Sequence, residues 1–173
     1  WQLTFDWEKA LTQGIVYAFI KSSEGTKVVD GQFHRNMAET ARLGIPRGIY
    51  HYFKPDKDWK KQADHFSSIA LGQVFELDAA IDCETNAGMS KQEYSNVLEK
   101  FVKQLEANLG YSIAIYTSPG FWNSAMPLTS WAKNKALWVA HWGASLIEPT
   151  LPDEWSKPNR PRTWTHWQWL ANG

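Results

Sequence analysis

Residues 79–85 read Ala79-Ala80-Ile81-Asp82-Cys83-Glu84-Thr85, an apolar run that closes on two carboxylates one residue apart. In an extended strand alternate side chains share a face, so Asp82 and Glu84 point together while Cys83 points the other way. Two acids on one face repel. With partial burial at a strand end, one of them is expected to be held protonated near neutral pH and the other to stay ionised. That is the equipment of a glycosidase. The plainer alternative is a pair of solvated loop acids just beyond a strand.

On both sides of this stretch, short β-branched and aromatic runs alternate with helical patterns, which predicts βα units and a largely parallel sheet. Strands are expected over 15–21, 47–53, 79–84, 111–117, 136–142 and 163–169, with a polar loop over 22–31. Helices are expected over 32–43 and 58–71. Gly44 stands where a left-handed cap belongs, and Pro46 forbids continuation. The clearest helix opens on a capping box at Ser90-Lys91-Gln92-Glu93. It then repeats Tyr94, Val97, Leu98, Phe101, Val102, Leu105 and Leu109 at a 3.6-residue period up to Gly110. Asp6 reads as the cap of a short helix starting at Trp7 rather than as a catalytic acid. The late strands are separated by Pro- and Trp-rich segments without an amphipathic period, so helices are expected to stop while strands continue.

That order predicts an α/β barrel whose first part is regular βα. In parallel barrels reactive groups gather at the carboxyl ends of strands. The polar residues there are Lys21, Glu24, His51, Asp82, Glu84, Tyr116, Thr117, His141 and Gln168, expected to converge on one rim.

Composition narrows the function classes. The 173 residues suffice for one domain, and no linker divides them, so 1–173 reads as a single catalytic domain. Lys plus Arg and Asp plus Glu both total 18, a balance that favours neither nucleic acid nor an anionic membrane as partner. One cysteine excludes an internal disulfide, and Cys83 reads as a small buried residue facing away from the acids. No apolar run approaches a membrane span, and the amino terminus lacks a signal-peptide pattern, so a soluble chain is expected. The 11 tryptophans suit sugar faces and a core equally well. No glycine pattern for phosphate binding occurs, and no cofactor is expected. A metal-dependent hydrolase would draw on His51, His141 and His166, but they show no metal-ligand spacing, and hydrogen-bonded packing is the favoured reading.

The motifs together resemble the glycoside hydrolase family 25 lysozymes. The resemblance is carried by Trp1-Gln2 with Phe5-Asp6-Trp7, Phe19-Ile20-Lys21-Ser22-Ser23-Glu24-Gly25, Gly48-Ile49-Tyr50-His51-Tyr52-Phe53, Ile81-Asp82-Cys83-Glu84, Ile115-Tyr116-Thr117-Ser118, Leu137-Trp138-Val139-Ala140 and Trp167-Gln168, in that order. It implies a modified TIM-like (βα)5β3 barrel and hydrolysis of the β-1,4 bond between N-acetylmuramic acid and N-acetylglucosamine in bacterial peptidoglycan. Glu84 would protonate the leaving oxygen and later activate water. Asp82 would stabilise an oxazolinium ion formed by the substrate's own acetamido oxygen, with retention at the anomeric carbon. Glu84 is expected to carry the raised pKa, and Asp82, one pleat deeper, to remain the anion.

Substrate contacts are expected at Glu24, Tyr50, His51, Tyr116, Trp138 and Gln168, with no metal, in a monomer that acts at the cell wall after secretion or release, as an autolysin or phage endolysin. The pattern departs from the family at both ends. An Asp expected before Gln2 and another beyond Trp167-Gln168 are not in the sequence, so both ends read as truncated. An inactive glycan-binding relative is therefore the alternative to an enzyme.

Overall fold

Seven strands share one sheet among the residues described by the computed structural model, which are 4–143, 148–156 and 163–170. They are β1 (Ala18–Glu24), β2 (Val28–Val29), β3 (Arg47–Tyr52), β4 (Ala79–Asp82), β5 (Ala114–Thr117), β6 (Ala136–Ala140) and β7 (His166–Gln168). The order across the sheet is β2-β1-β3-β4-β5-β6-β7. Only the β1–β2 pair is antiparallel. The helices are α1 (Trp7–Thr12), α2 (Phe33–Arg42), α3 (Trp59–Leu71), α4 (Lys91–Leu109) and α5 (Pro119–Ala125), with a short 3₁₀ turn at Ala132–Asn134.

The sheet curls into a barrel-like wall. Phe19 on β1 stacks on Trp138 of β6 with ring centroids 4.4 Å apart and meets His166 of β7 edge-on at 4.9 Å. Residues from nearly opposite ends of the strand order thus touch across an interior. Hydrogen bonds do not close the ring between β7 and β1 among the described residues. Phe19 plugs the base of this interior because β3 places Gly48 beside it. A Cβ there would lie 2.5 Å from Phe19 Cε1 and 2.6 Å from the Asp78 carbonyl oxygen.

The outer face of the sheet carries the core. Ile20, Ile49, Ile81, Ile115 and Leu137 alternate away from the interior and pack with Phe66 of α3 and Leu98, Phe101 and Leu105 of α4. Burying such aliphatic and aromatic side chains contributes roughly 1.5–3 kcal/mol each, which is what holds the helical layer on the sheet. Cys83 is buried on this side, as its parity predicts. The α4 capping box forms as read, with Ser90 Oγ accepting from the Glu93 amide and Glu93 Oε2 accepting from the Ser90 amide at 2.9 Å. The left-handed positions fall at Gly44 (φ 67°) and Gly110 (φ 79°). Asp6 caps α1 through the Lys9 amide at 2.9 Å.

Four expectations need correction. Helices do not stop after α4, since α5 follows β5, capped by the Ser118 hydroxyl on the Phe121 amide at 3.2 Å with Pro119 in its first turn. Seven residues are too few to display a period, and the signal was the Ser-Pro pair itself. The loop over 22–31 contains β2, which pairs Val28 and Val29 with Glu24 and Ser23. β1 begins and ends three residues later than 15–21, and β4 ends at Asp82, so Cys83 and Glu84 lie just beyond the strand expected over 79–84. Trp1-Gln2 lies outside the described residues.

Candidate active site

Parallel register aligns Tyr52, Asp82, Tyr116 and Trp138 as partners across β3, β4, β5 and β6. Registered residues of a sheet share a face, so this row projects into the barrel interior. In the row beneath, Tyr50 of β3 is followed by Ala80, Ala114 and Ala136. These methyl groups leave a hollow bounded in this row by Tyr50 and its register partner Lys21 of β1. The result is a cavity of about 410 Å³ at the carboxyl ends of the strands.

The cavity gathers Glu24, Tyr50, Asp82, Glu84, Tyr116, Trp138 and Gln168, all of them expected from sequence. It adds Tyr52 and Lys54, which are not among the residues expected from sequence, and Lys21, expected only as a strand-end residue. The signal for Tyr52 and Lys54 was present in the parity of β3 and its extension, which puts 50, 52 and 54 on one side.

His51 is a correction. It is fully buried on the opposite face, its ring stacked against Phe66 at 5.2 Å and Phe101 at 5.7 Å, with Nδ1 in a hydrogen bond to Ser23 Oγ at 2.9 Å. The same alternation that delivers Tyr50 and Tyr52 to the cavity withholds the residue between them. Thr117 also faces outward, donating to the Cys83 carbonyl at 2.9 Å. His141 accepts the Thr150 amide at 2.8 Å and does not line the cavity. Among the described residues no three His, Cys, Asp or Glu side chains cluster as metal ligands.

The electrostatics overturn half of one expectation: Glu84 is raised, as expected, but Asp82 is raised as well. Burial pushes Asp82 up to about 8, and the nearby charge of Glu84 adds to it, with Lys21 opposing. Asp82 is 7% exposed, and its Oδ1 has no hydrogen-bond partner among the described residues. Glu84 sits at the exposed mouth, where burial raises its pKa and Lys21 lowers it. Depth therefore makes Asp82, not Glu84, the more strongly perturbed acid: the deeper carboxylate loses more hydration than its neighbour.

Glu24 behaves oppositely. Burial works against its ionisation, but hydrogen bonds from Lys21 at 2.9 Å and Lys54 at 3.1 Å, with their charges, hold it below the usual carboxylate range. Lys54 also lies over the Tyr52 ring at 4.7 Å. Burial raises Tyr50 and Tyr116 well above ordinary phenols, so both are neutral donors. Tyr116 donates to Gln168 Oε1 at 2.5 Å and packs edge-on against Trp138 at 4.6 Å. The arrangement offers paired carboxyls, neutral phenols and an aromatic wall, which is the chemistry needed to bind a neutral sugar and transfer a proton to it.

Comparison with known proteins agrees over the whole chain. The family model for glycosyl hydrolases family 25 matches residues 1–173. Lysozyme M1 of Streptomyces globisporus is 32% identical over 186 residues, covering 100% of this chain and 60% of that protein. The uncharacterized protein YegX of Escherichia coli K12 is 30% identical, covering 100% of this chain and 61% of its own length. The chain thus spans about three fifths of these curated relatives. Among solved structures, the bacterial lysozyme from Streptomyces coelicolor superposes with a TM-score of 0.85 at 30% identity, covering 100% of this chain and 81% of that one. The muramidase from Acremonium alcalophilum gives 0.84 at 28%, covering 98% and 83%. The family match and the shared barrel lead to one conclusion: the chain belongs to glycosyl hydrolases family 25.

Proposed function

We propose that this chain is a lysozyme that cleaves the β-1,4 bond between N-acetylmuramic acid and N-acetylglucosamine in peptidoglycan. The observation that carries the reading is the Asp82–Glu84 pair on one wall of a sugar-sized cavity, one carboxyl deep and one at the mouth.

Glu84 is the general acid that protonates the leaving oxygen and then the base that activates water. Asp82 receives the acetamido N–H of the sugar and stabilises the oxazolinium ion that the acetamido oxygen forms by attacking the anomeric carbon. This route retains configuration. The proton balance follows from burial. In the empty cavity the pair's proton resides on Asp82, because its carboxylate has least water. A bound sugar supplies Asp82 with an N–H donor and, as the bond breaks, an adjacent positive charge. Both favour the Asp82 anion and leave the proton for Glu84, where the departing oxygen needs it. Trp138 and Tyr116 offer apolar ring faces and edges to the sugar; Tyr50 and Gln168 offer polar contacts.

The partner is the glycan strand of the bacterial wall, engaged by a monomer secreted or released to reach it. Among the described residues no helix is long and apolar enough to cross a membrane. Digestion of purified peptidoglycan with mass spectrometry of the products tests the reading. New reducing-end N-acetylmuramic acid is expected; peptides released from intact glycan would overturn it. A glycan-binding relative without turnover would yield neither product.

A further inference from the structure

Lys21 and Glu24 both line the cavity although they stand three residues apart, a spacing that sends side chains to opposite faces of a regular strand. β1 resolves the conflict with a bulge. Its register against β3 pairs Lys21 with Tyr50 and Ser23 with His51, and leaves Ser22 unpaired. Two consecutive residues, Ser22 and Ser23, are consequently fully buried on the helical side, and Glu24 returns to the cavity face. Bulges of this kind re-aim side chains beside active sites.

Such a bulge leaves buried polar groups that need partners. The Ser22 hydroxyl donates to the Tyr50 carbonyl at 2.9 Å, and its oxygen lies 3.2 Å from Ser23 Oγ. Ser23 Oγ lies 2.9 Å from His51 Nδ1. The His51 ring is clamped between Phe66 of α3 and Phe101 of α4. We propose that His51 is a positioning residue: from the far side of the sheet, through Ser23, it locks the β1 bulge that turns Lys21 and Glu24 together into the cavity.

The consequence is electrostatic. Lys21 is the cation that opposes the raised pKa of both Asp82 and Glu84, and it also holds Glu24. The carboxyls are faced by Lys21 and Glu24 from β1, by Tyr50, Tyr52 and Lys54 from β3 and its extension, and by Tyr116 from β5. His51 is faced by Ser23 from β1, where the charges of Lys21 and Glu24 also act on it, and by Gln62, His65 and Phe66 from α3, and Phe101 from α4 closes its other side. Burial pushes the imidazole down to about 3, so the ring is neutral near neutral pH, with Nδ1 bonded to Ser23 and Nε2 buried without a hydrogen-bond partner among the described residues.

The link to catalysis rests on the lysozyme reading, whereas the link between His51 and the cavity charges does not. Side-chain carboxyl ¹³C titration of Asp82 and Glu84 therefore tests the inference with or without turnover, in the wild type, Lys21→Met, Ser23→Ala, His51→Phe and the Ser23→Ala/Lys21→Met double variant. Lys21→Met is expected to raise both midpoints by about 0.5–1 in pH through loss of the opposing charge. Ser23→Ala and His51→Phe are expected to raise them in the same direction by less, and the double variant to rise no further than Lys21→Met alone. The pH profile of kcat/KM for peptidoglycan should move with the midpoints. Ser23→Ala removes a single oxygen and keeps the test readable if His51→Phe fails to fold. Variants that lose thermal stability while the midpoints stay in place, or a double variant whose shift is the sum of the singles, would overturn the proposal. Absence of any hydrolysis by the wild type would instead count against the lysozyme reading, with the titration still deciding the role of His51.

Discussion

Asp82 and Glu84 differ in depth, and under the proposed lysozyme reading that difference divides their roles. A group at the mouth exchanges protons readily and reaches a leaving oxygen; a group at 7% exposure is better suited to receive an N–H and respond to charge that develops beside it. Replacing Glu84 by Gln keeps shape and removes the proton. Hydrolysis is expected to fall by about 10²–10⁴-fold, the usual contribution of a general acid, while binding of chitin-type or peptidoglycan fragments stays within a few-fold. Turnover measured alongside isothermal titration checks this, and full activity in Glu84→Gln would remove Glu84 from the mechanism. The Asp-x-Glu pairing was readable in seven residues of sequence because strand parity is a local rule. Which acid carries the proton was not, because hydration depends on how Tyr50, Tyr52 and Tyr116 from two other strands crowd over Asp82.

At the scale of the element, parity is both the strength and the weakness of sequence reasoning. It places Cys83 outward and Tyr50 inward without coordinates, and it should have set His51 apart from its neighbours. Position after an apolar run is a poorer guide than alternation, which is why His51 looked like a rim residue and is instead stacked on Phe66 and Phe101. In β1 the rule itself fails, because a bulge at Ser22 resets the count and no local pattern marks where a strand adds a residue. Gly48 shows the converse, a position whose side chain is forbidden by a contact from β1. Gly48→Ala would set a methyl 2.5 Å from Phe19 Cε1 and 2.6 Å from a backbone oxygen that cannot swing away. A cost of about 1–3 kcal/mol is expected, or roughly 2–12 °C in melting temperature for a chain of this size. Differential scanning calorimetry checks the shift. A neutral result would mean that Phe19 does not plug the barrel base.

For the whole molecule, the fold was legible as a series of βα units because each strand and long helix announces itself locally, whereas the curl that brings Phe19 onto Trp138 is a sum of twists that no segment contains. Stability integrates over the chain in the same way, and its pH dependence separates the buried groups. His51, lowered from 6.5 to about 3, binds fewer protons folded than unfolded, so its contribution is lost as pH falls below 6.5 and is complete above it. Asp82, raised from 3.8 to about 8, binds more protons folded than unfolded, so stability declines as pH rises from about 4 to about 8. The two slopes oppose each other below 6.5, and above it the Asp82 slope stands free of His51. Between pH 6.5 and 8 one proton lost on unfolding corresponds to at most about 2 kcal/mol, or roughly 4–8 °C. Wild-type protein is therefore expected to melt lower at pH 9 than at pH 6.5, and Asp82→Asn, which has no proton to lose, to show a flatter profile and to melt above the wild type at pH 9. Thermal unfolding of both proteins across that interval decides the matter: parallel curves would mean that Asp82 is already ionised at pH 6.5, and that burial in the cavity does not hold its proton.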